Sequence, residues 1–474
     1  MRYRFDFPGA RAIFALCIFA VLATAIWTRP AKWLGDFDQP FYLTIAYDIG
    51  RHGVFSNGLF DDVDSTAAVP PPGMFLAPLY PWLIVGATKI DGRFAQAVTC
   101  IVEVIHDKRD GRECVTYARP IHLIHALLLV IGVLAIARAV ELMFASGAMF
   151  WLSGALATAA VAAEANLFSF VMTESLVFSL YSLVMLALVA AWTTGPPLAR
   201  RRYYALAGLL LGMLCLARTA FAVLAPALML LIFLKARFAG TARSSEWRGL
   251  LAFAICFAVI VFPWALRNQI SVGKFTLTEE YGAASLIERF AFNRMEPREF
   301  ALAFPYCVPA VGPGIVGALA GERAMDRFEW NTPGSFFESG RSARMALLAI
   351  HQRLDPVIGE ITRTELAQNW WRHLLVSLPL AWCGLWIGKY FSLLLVPAFA
   401  WASFHAVRRA TPLLLIYAAP AFVMLALHAA LANHYTRYNV ILISPFAAGA
   451  AWLIRDVWLR RRARSTAQSR ERAS

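Results

Sequence analysis

Long apolar runs, separated by short polar or basic segments, make up most of this chain. An α-helix needs about 20 apolar residues to cross roughly 30 Å of hydrocarbon, and many of these runs approach that length. The pattern predicts an all-α integral membrane protein, a polytopic helical bundle of about ten transmembrane helices. The expected spans lie near residues 12–28, 120–140, 148–165, 168–192, 204–219, 220–235, 249–266, 384–405, 411–431 and 438–455.

Two long segments without a confident span, residues 29–119 and 267–380, fall on one side of the membrane when the N-terminus is placed inside. The chain therefore divides into an N-terminal transmembrane module (1–266) with an acidic first extracytoplasmic loop, an extracytoplasmic helical segment (267–380), and C-terminal transmembrane helices with a basic cytoplasmic tail (381–474). In the first loop, residues 75–90 are too short and too rich in proline for a span. An interfacial or re-entrant helix is expected there.

Composition and charge support lipid as the solvent of this chain. Of its 474 residues, 59% are hydrophobic and only 16% are charged. The net charge of +14 could indicate nucleic acid, but the basic residues form short clusters between apolar runs, such as Arg200 to Arg202 and Arg460 to Arg462. Such clusters are typical of cytoplasmic anchors. They predict no nucleic-acid partner and place both termini in the cytoplasm, with the first apolar run retained as an uncleaved helix.

The seven cysteines show no CxxC spacing, which argues against a zinc site. Cys100 and Cys114 lie in the polar loop expected outside the cytoplasm, where a disulfide can form, and the sequence leaves that pairing open. The cysteines in apolar runs are expected to act as small hydrophobic residues: Cys17, Cys215, Cys256 and Cys383.

Carboxylates follow directly after the first predicted span, in Gly35-Asp36-Phe37-Asp38-Gln39-Pro40-Phe41-Tyr42. An acidic loop is commonly no more than a solvated surface. At a membrane boundary, however, a carboxylate can also serve as a general base.

The run from Asp38 to Ala46, followed by Gly53, Pro71-Pro72-Gly73 and Tyr80-Pro81, resembles the GT-C superfamily of polyprenyl-phosphate-sugar glycosyltransferases. The nearest group is the protein O-mannosyltransferase-like and lipid A aminoarabinose transferase-like branch. That family commonly has Asp-Glu where this chain has Asp38-Gln39. The resemblance thus implies Asp38 as the catalytic carboxylate, with Asp36 as its partner or substitute.

The resemblance implies a hexosyl- or pentosyltransferase that takes a sugar from a polyprenyl-phosphate-linked donor. The acceptor would be an extracytoplasmic glycan, lipid or protein. Asp38 would deprotonate the acceptor hydroxyl, which attacks the anomeric carbon with inversion while the lipid phosphate leaves. The implied location is a membrane, the bacterial inner (plasma) membrane, with the active site facing the periplasm or exterior.

Cationic residues at the same membrane boundary are candidates for binding the donor phosphate. Arg437-Tyr438, followed by Pro445, resembles an Arg-Tyr element near the end of these transferases, and His434 lies beside it. Arg267 ends the string Pro263-Trp264-Ala265-Leu266-Arg267-Asn268, which resembles the family's Pro-Trp-x-x-Arg-Asn element. Arg218 lies between the fifth and sixth spans. Each arginine could instead be an interfacial anchor whose stem lies along apolar surface.

Two more acidic residues lie near the junction of the third and fourth spans. The resemblance carries a second acidic role to Glu174, in Thr173-Glu174, and leaves Glu164 as a lesser candidate. A glutamate that only bonds a neighbouring helix is the alternative. Tyr42 is expected to line the acceptor groove, and His428 to be an interhelical hydrogen bonder.

Two other classes of protein remain alternatives: a membrane transporter or lipid flippase, and a non-catalytic membrane scaffold. Transporters carry midplane charges and Gly/Pro-broken helices in matched halves, whereas this chain concentrates its polar residues outside the spans. No metal-ligand spacing stands out, so the sequence assigns no metal residues and no cofactor, and a divalent metal stays an open alternative.

Overall fold

A computed structural model describes residues 9–29, 32–60, 65–107, 109, 113–238, 243–408, 412–432 and 436–471. All regular secondary structure in these ranges is helical, which confirms the all-α fold class. The first ten helices are α1 (Ala10–Trp27), α2 (Gln39–His52), α3 (Leu79–Ile90), α4 (Gly92–His106), α5 (Arg119–Phe144), α6 (Gly147–Ala163), α7 (Ala165–Phe168), α8 (Glu174–Thr193), α9 (Pro197–Ala217) and α10 (Leu224–Phe238). The remaining ten are α11 (Arg243–Val272), α12 (Tyr281–Phe290), α13 (Pro297–Tyr306), α14 (Gly312–Ala320), α15 (Glu322–Asp326), α16 (Phe336–His351), α17 (Asp355–Leu385), α18 (Ser392–Arg408), α19 (Leu413–Leu431) and α20 (Ile443–Glu471). Short 3₁₀ helices lie at Gly58–Phe60, Thr219–Val223, Ala291–Arg294, Lys389–Phe391 and Thr436–Leu442.

Eight helical segments of the described residues are long and apolar enough to cross a membrane: Ala10–Trp27, Arg119–Phe144, Glu174–Thr193, Thr219–Arg237, Ser244–Val272, Lys389–Arg408, Leu413–Leu431 and Thr436–Arg462. Two further predicted spans correspond to α6 and α9. Helix α6 is apolar but has only 17 residues, and the first turns of α9 carry Arg200 to Arg202. The membrane character of the chain is confirmed, while the number ten stays a prediction.

Small residues let the membrane helices approach closely. Helix α9 packs along α8 and α11, and α5 packs along α6 and α8. A side chain at Gly208 of α9 would collide with the Phe253 carbonyl oxygen of α11, and one at Gly212 would meet Ile260. Close backbone contact of this kind is how helices associate in lipid, where the hydrophobic effect offers no help.

The first loop folds into short helices against the bundle. Helix α3, at 12 residues, covers only about 18 Å, too little to span the membrane, as its sequence predicted. A disulfide joins Cys100 of α4 to Cys114. The pairing that the sequence left open is therefore present.

The segment from α12 to the first half of α17 forms a helical cap with its own aromatic core around Phe292, Phe336 and Phe337. A second disulfide ties Cys307, after α13, to Cys383 of α17. The expectation that Cys383 acts as a small hydrophobic residue is wrong, because packing brings it beside a cysteine 76 positions away. Cys17, Cys215 and Cys256 are free thiols.

Arg289 of α12 joins the cap to the bundle. Its guanidinium is fully buried and donates to the carbonyl oxygens of Ala429 in α19 (2.7 Å) and His373 in α17 (3.1 Å). It also donates to Ser377 Oγ and Asn293 Oδ1, each at 3.0 Å. Burial lowers the pKa of Arg289 to about 9, so the side chain stays charged at neutral pH. The charged guanidinium donates to uncharged oxygens.

Candidate active site

Asp38 stands where the chain enters α2. It occupies the N-cap position, yet its side chain makes no capping hydrogen bond. Instead Asp38 Oδ2 accepts from Arg437 Nη2 at 2.6 Å, and the Tyr281 hydroxyl lies 3.3 Å from the same oxygen. The carboxylate is therefore directed at the start of the last membrane helix and at the cap, and not at its own helix.

Gln39 explains how the loop before α2 is held. Its side-chain amide donates to the carbonyl oxygens of Trp33 (2.9 Å) and Asp36 (3.1 Å), and its Oε1 accepts the Val171 N–H at 2.8 Å. Gln39 is fully buried. A glutamate could accept but not donate, so the residue that departs from the family pattern is a structural one here.

Glu174 is a second acidic residue of this site. It begins α8 and is buried, with Arg218 Nη1 at 3.9 Å and Arg437 Nε at 4.0 Å from its Oε1. Its other oxygen, Oε2, has no hydrogen-bond partner among the described residues. Two carboxylates and two guanidinium groups thus meet within one small volume.

Tyrosines complete the site. The Arg218 guanidinium lies 4.1 Å from the centroid of the Tyr438 ring, and that of Arg437 lies 5.2 Å from it, both within cation–π range. Burial raises the pKa of Tyr42 and of Tyr281 above the usual range. Both phenols therefore stay protonated at neutral pH and can act only as neutral hydrogen-bonding groups.

Two adjoining cavities surround these residues. The larger, of about 510 Å³, contains Asp36, Asp38, Tyr281, Arg437 and Tyr438 in its walls. The smaller, of about 30 Å³, is lined by Asp38, Tyr42, Glu174, Arg218 and Tyr281 among others. Asp38 and Tyr281 belong to both, so the carboxylate stands at the boundary between a roomy pocket and a tight one.

Three other candidate residues, Arg267, Glu164 and His428, are not among the lining residues of either cavity. Arg267 lines neither cavity; it donates to the carbonyl oxygens of Gly73 and Phe55 and so ties α11 to the first loop. Glu164 accepts the Gly388 N–H at 2.8 Å. His428 contacts Asn439 Oδ1 through Nδ1 at 3.1 Å, in line with an interhelical hydrogen bond. His434 lies outside the described residues.

Tyr281 was not singled out from the sequence. It begins a short cap helix 243 positions after Asp38, and nothing in its neighbourhood distinguishes it from the interfacial tyrosines of a membrane protein.

One acidic cluster among the described residues is close enough to hold a metal ion: Glu279, Glu280 and Asp355. Several of its oxygens already have partners: Glu279 Oε1 pairs with Lys274 and Arg353. Glu280 accepts the N–H groups of Leu354 (2.6 Å) and Asp355 (3.3 Å) at the start of α17. These contacts make the cluster an anchor for a helix end.

No protein-family model matches this sequence, and no curated protein matches it. Solved structures are similar. The archaeal oligosaccharyltransferase AglB from Archaeoglobus fulgidus, in complex with an inhibitory peptide and a dolichol-phosphate, aligns with 96% of this chain at 14% identity and a TM-score of 0.50. This chain spans 52% of AglB, about half of its length.

ArnT from Cupriavidus metallidurans also matches, over 94% of this chain in each of two structures. The apo state has 15% identity, a TM-score of 0.39 and 76% of its own chain covered. The form bound to undecaprenyl phosphate has 14% identity, a TM-score of 0.41 and 78% covered. The fold assignment rests on the likeness to AglB. This chain therefore shares the fold of AglB, in line with the GT-C fold that the sequence resemblance implied.

Proposed function

We propose that this protein is a membrane glycosyltransferase that moves a sugar from a polyprenyl-phosphate-linked donor to an extracytoplasmic glycan, lipid or protein acceptor, with inversion. The observation that carries the proposal is the meeting of Asp38 with Arg437, 399 positions later in the chain, beside Glu174 and Arg218. Chains with this fold in solved structures include an oligosaccharyltransferase in complex with a dolichol-phosphate.

Asp38 is the base in this proposal. The acceptor hydroxyl gives its proton to the Asp38 carboxylate as its oxygen bonds to the anomeric carbon. The bond between that carbon and the phosphate oxygen breaks on the opposite face, and the electron pair leaves with the lipid phosphate. Position supports the role, because Asp38 faces the larger cavity while Arg437 and Tyr281 hold one of its oxygens.

Arg437 and Arg218 are the groups that would stabilise the leaving phosphate. Negative charge develops there in a poorly screened site, where a fixed guanidinium stabilises the transition state more than it would in water. Glu174 lies about equally far from both arginines. It balances their charge before the donor binds and orients both guanidinium groups.

The wall of the larger cavity contributed by the cap is suited to the acceptor. Trp330 and Asn331 lie there with Ser285, Arg341 and Arg344, and the Arg341 guanidinium lies 4.8 Å from the centre of the Trp330 ring. A flat aromatic ring beside hydrogen-bonding groups suits a sugar-bearing or polar acceptor. The acceptor would therefore approach from the cap and the donor from the membrane.

The experiment that tests this function compares wild type with Asp38→Asn in reconstituted vesicles. Radiolabelled sugar on polyprenyl phosphate is the donor, and a membrane extract supplies acceptors. We expect transfer to fall by roughly 10²- to 10⁴-fold, the usual contribution of a general base. Asp107→Asn, an exposed change outside both cavities, serves as the matched control and should transfer normally.

Near-normal transfer by Asp38→Asn would remove Asp38 from the mechanism. No incorporation by wild type from any polyprenyl-phosphate donor would overturn the transferase proposal and favour the transporter or scaffold alternatives.

A further inference from the structure

A third cavity, of about 520 Å³, lies beside the candidate active site and shares none of its charged residues. It is formed where α1 ends and α5 begins. Ser169 lines it, while the next residue, Phe170, lines the larger active-site cavity. The segment around Ser169 and Phe170 is thus a partition between the two spaces.

The charged residues in the described lining of this cavity are all cations. Arg29, Lys32 and Arg119 all line it, and the described residues of its lining include no carboxylate. None of these three cations forms an ion pair with any residue in the described part of the chain. Lys32 Nζ lies 5.5 Å from the centroid of the Phe170 ring, within cation–π range. The cations at the opposite end of the bundle differ, since Arg200 and Lys235 both pair with Glu246.

One acidic side chain, Asp91, contacts the lining of this cavity without pairing with its cations. Asp91 accepts the hydroxyl of Tyr117, a lining residue, at 2.8 Å. Its other oxygen accepts the N–H groups of Arg93 and Phe94 at the start of α4. Asp91 is therefore committed to capping a helix and orienting Tyr117.

The rest of the lining is uncharged or weakly basic and combines the polar residues Thr116, Tyr117, His122 and Ser169 with apolar residues at the ends of two membrane helices. Ile26 and Trp27 are the last residues of α1, and Arg119 is the first residue of α5. Both helices are candidate spans. Leu34 and Ala118 add to the apolar surface. A ligand here would place its anionic part among the cations and a hydrocarbon part against the ends of α1 and α5, where the bilayer begins.

We propose that this cavity binds the phosphate headgroup of an anionic membrane lipid, held by Arg29, Lys32 and Arg119. Three cations at a membrane boundary that have no ion-pair partner among the described residues attract an anionic headgroup, and guanidinium groups bind phosphate oxygens in pairs. A free phosphate ion would not use the apolar wall formed by Ile26 and Trp27. The site is independent of Asp38 and does not rest on the proposed transfer reaction.

The test uses the full chain in nanodiscs of mixed phosphatidylcholine and phosphatidylglycerol, with the lipids retained after release counted by native mass spectrometry. Wild type should retain phosphatidylglycerol preferentially. In the triple variant Arg29→Gln, Lys32→Gln, Arg119→Gln, that preference should fall roughly a hundredfold, at about fivefold for each cation. The matched control, Arg51→Gln with Arg298→Gln and Arg323→Gln, removes three exposed charges elsewhere and should leave the preference unchanged.

Equal retention by the triple variant and wild type would overturn the proposal. So would stabilisation of wild type by inorganic phosphate to the same extent as by phosphatidylglycerol, because the ligand would then be a free anion. If the triple variant does not fold, Lys32→Gln alone should lower the preference about fivefold. An unchanged preference in Lys32→Gln would overturn the proposal.

Discussion

At the scale of single residues, the role of a side chain depends on which groups it contacts. Asp38 and Gln39 are neighbours in the chain, yet Asp38 faces the cavity with its carboxylate while Gln39 faces the protein and holds the loop through three hydrogen bonds. Arg437 and Arg267 look equivalent as interfacial arginines in the sequence. They differ in the structure because one contacts a carboxylate in the cavity and the other contacts backbone carbonyls.

Gln39→Glu should destabilise the protein although it restores the family's commoner residue. A carboxylate cannot donate, so the Trp33 and Asp36 carbonyl oxygens lose their partner and face a buried negative charge. We expect a loss of about 2–4 kcal/mol in the free energy of unfolding, seen as a lower melting temperature in detergent. Gln96→Glu, at an exposed position of α4 outside the candidate spans, is the control. A melting temperature equal to wild type would contradict the structural role of Gln39.

Arg437→Ala and Arg267→Lys should separate a site residue from a structural one. Arg437→Ala removes a cation from the cavity, so the KM for the polyprenyl-phosphate donor should rise by about tenfold or more, in line with the loss of a charged hydrogen bond. Arg267→Lys should lower the melting temperature and leave that KM within about twofold, because Arg267 lines neither cavity. The opposite pattern would place Arg267 in the donor site.

At the scale of elements, a few buried polar contacts decide how helices join. Glu246 of α11 accepts from Arg200 (2.8 Å) and Tyr204 (2.7 Å) of α9, and Lys235 of α10 lies 3.1 Å away. The cap is held in a comparable way, because Arg289 reaches α17 and α19 at once. The Arg289 contacts place α12, and with it Tyr281, against α17 and α19, which both pack on the 3₁₀ helix Thr436–Leu442 that carries Arg437.

Arg289→Met should loosen the cap. Methionine fills much of the space but leaves the carbonyl oxygen of Ala429 buried without its donor, which costs about 1–3 kcal/mol for each unsatisfied group. We expect a lower melting temperature and faster limited proteolysis between α12 and α17, with cleavage sites mapped by mass spectrometry. Arg298→Met, at an exposed cap position, should behave like wild type, and equal proteolysis of both variants would argue against the anchoring role.

At the scale of the whole molecule, the two disulfides bear on topology. Cys100–Cys114 belongs to the predicted first outer loop, and Cys307–Cys383 joins the predicted outer segment to α17. Disulfides persist in oxidising compartments. Their presence in both segments supports the proposal that the cap and the Asp38 cavity face away from the cytoplasm.

Thiol counting tests this arrangement. After denaturation without reductant, maleimide labelling followed by mass spectrometry should find the three free thiols, Cys17, Cys215 and Cys256. After reduction it should find all seven cysteines. Seven labelled thiols before reduction would overturn both pairings. A reporter that functions only in the cytoplasm should give no signal when it is fused to the cap, and a signal would overturn the topology.

The sequence by itself determined the features that depend on local pattern. Apolar runs of membrane-spanning length established the helical class, because lipid leaves the backbone no partners except its own. The carboxylates after the first span and the Arg-Tyr pair near the last were recognisable as short motifs, and the proline-broken run at 75–90 indicated a helix too short to cross.

Only the tertiary structure decided which of these groups meet. Asp38, Glu174, Arg218 and Arg437 come from four distant places, and the distances among them follow from helix packing that no local periodicity encodes. The same packing added Tyr281, brought Arg267 to backbone carbonyl oxygens of the first loop, paired Cys383 with Cys307, and gathered Arg29, Lys32 and Arg119 around a separate cavity. Side chains far apart in the chain become neighbours through the contacts of whole helices, so the site exists only once the bundle and the cap have assembled.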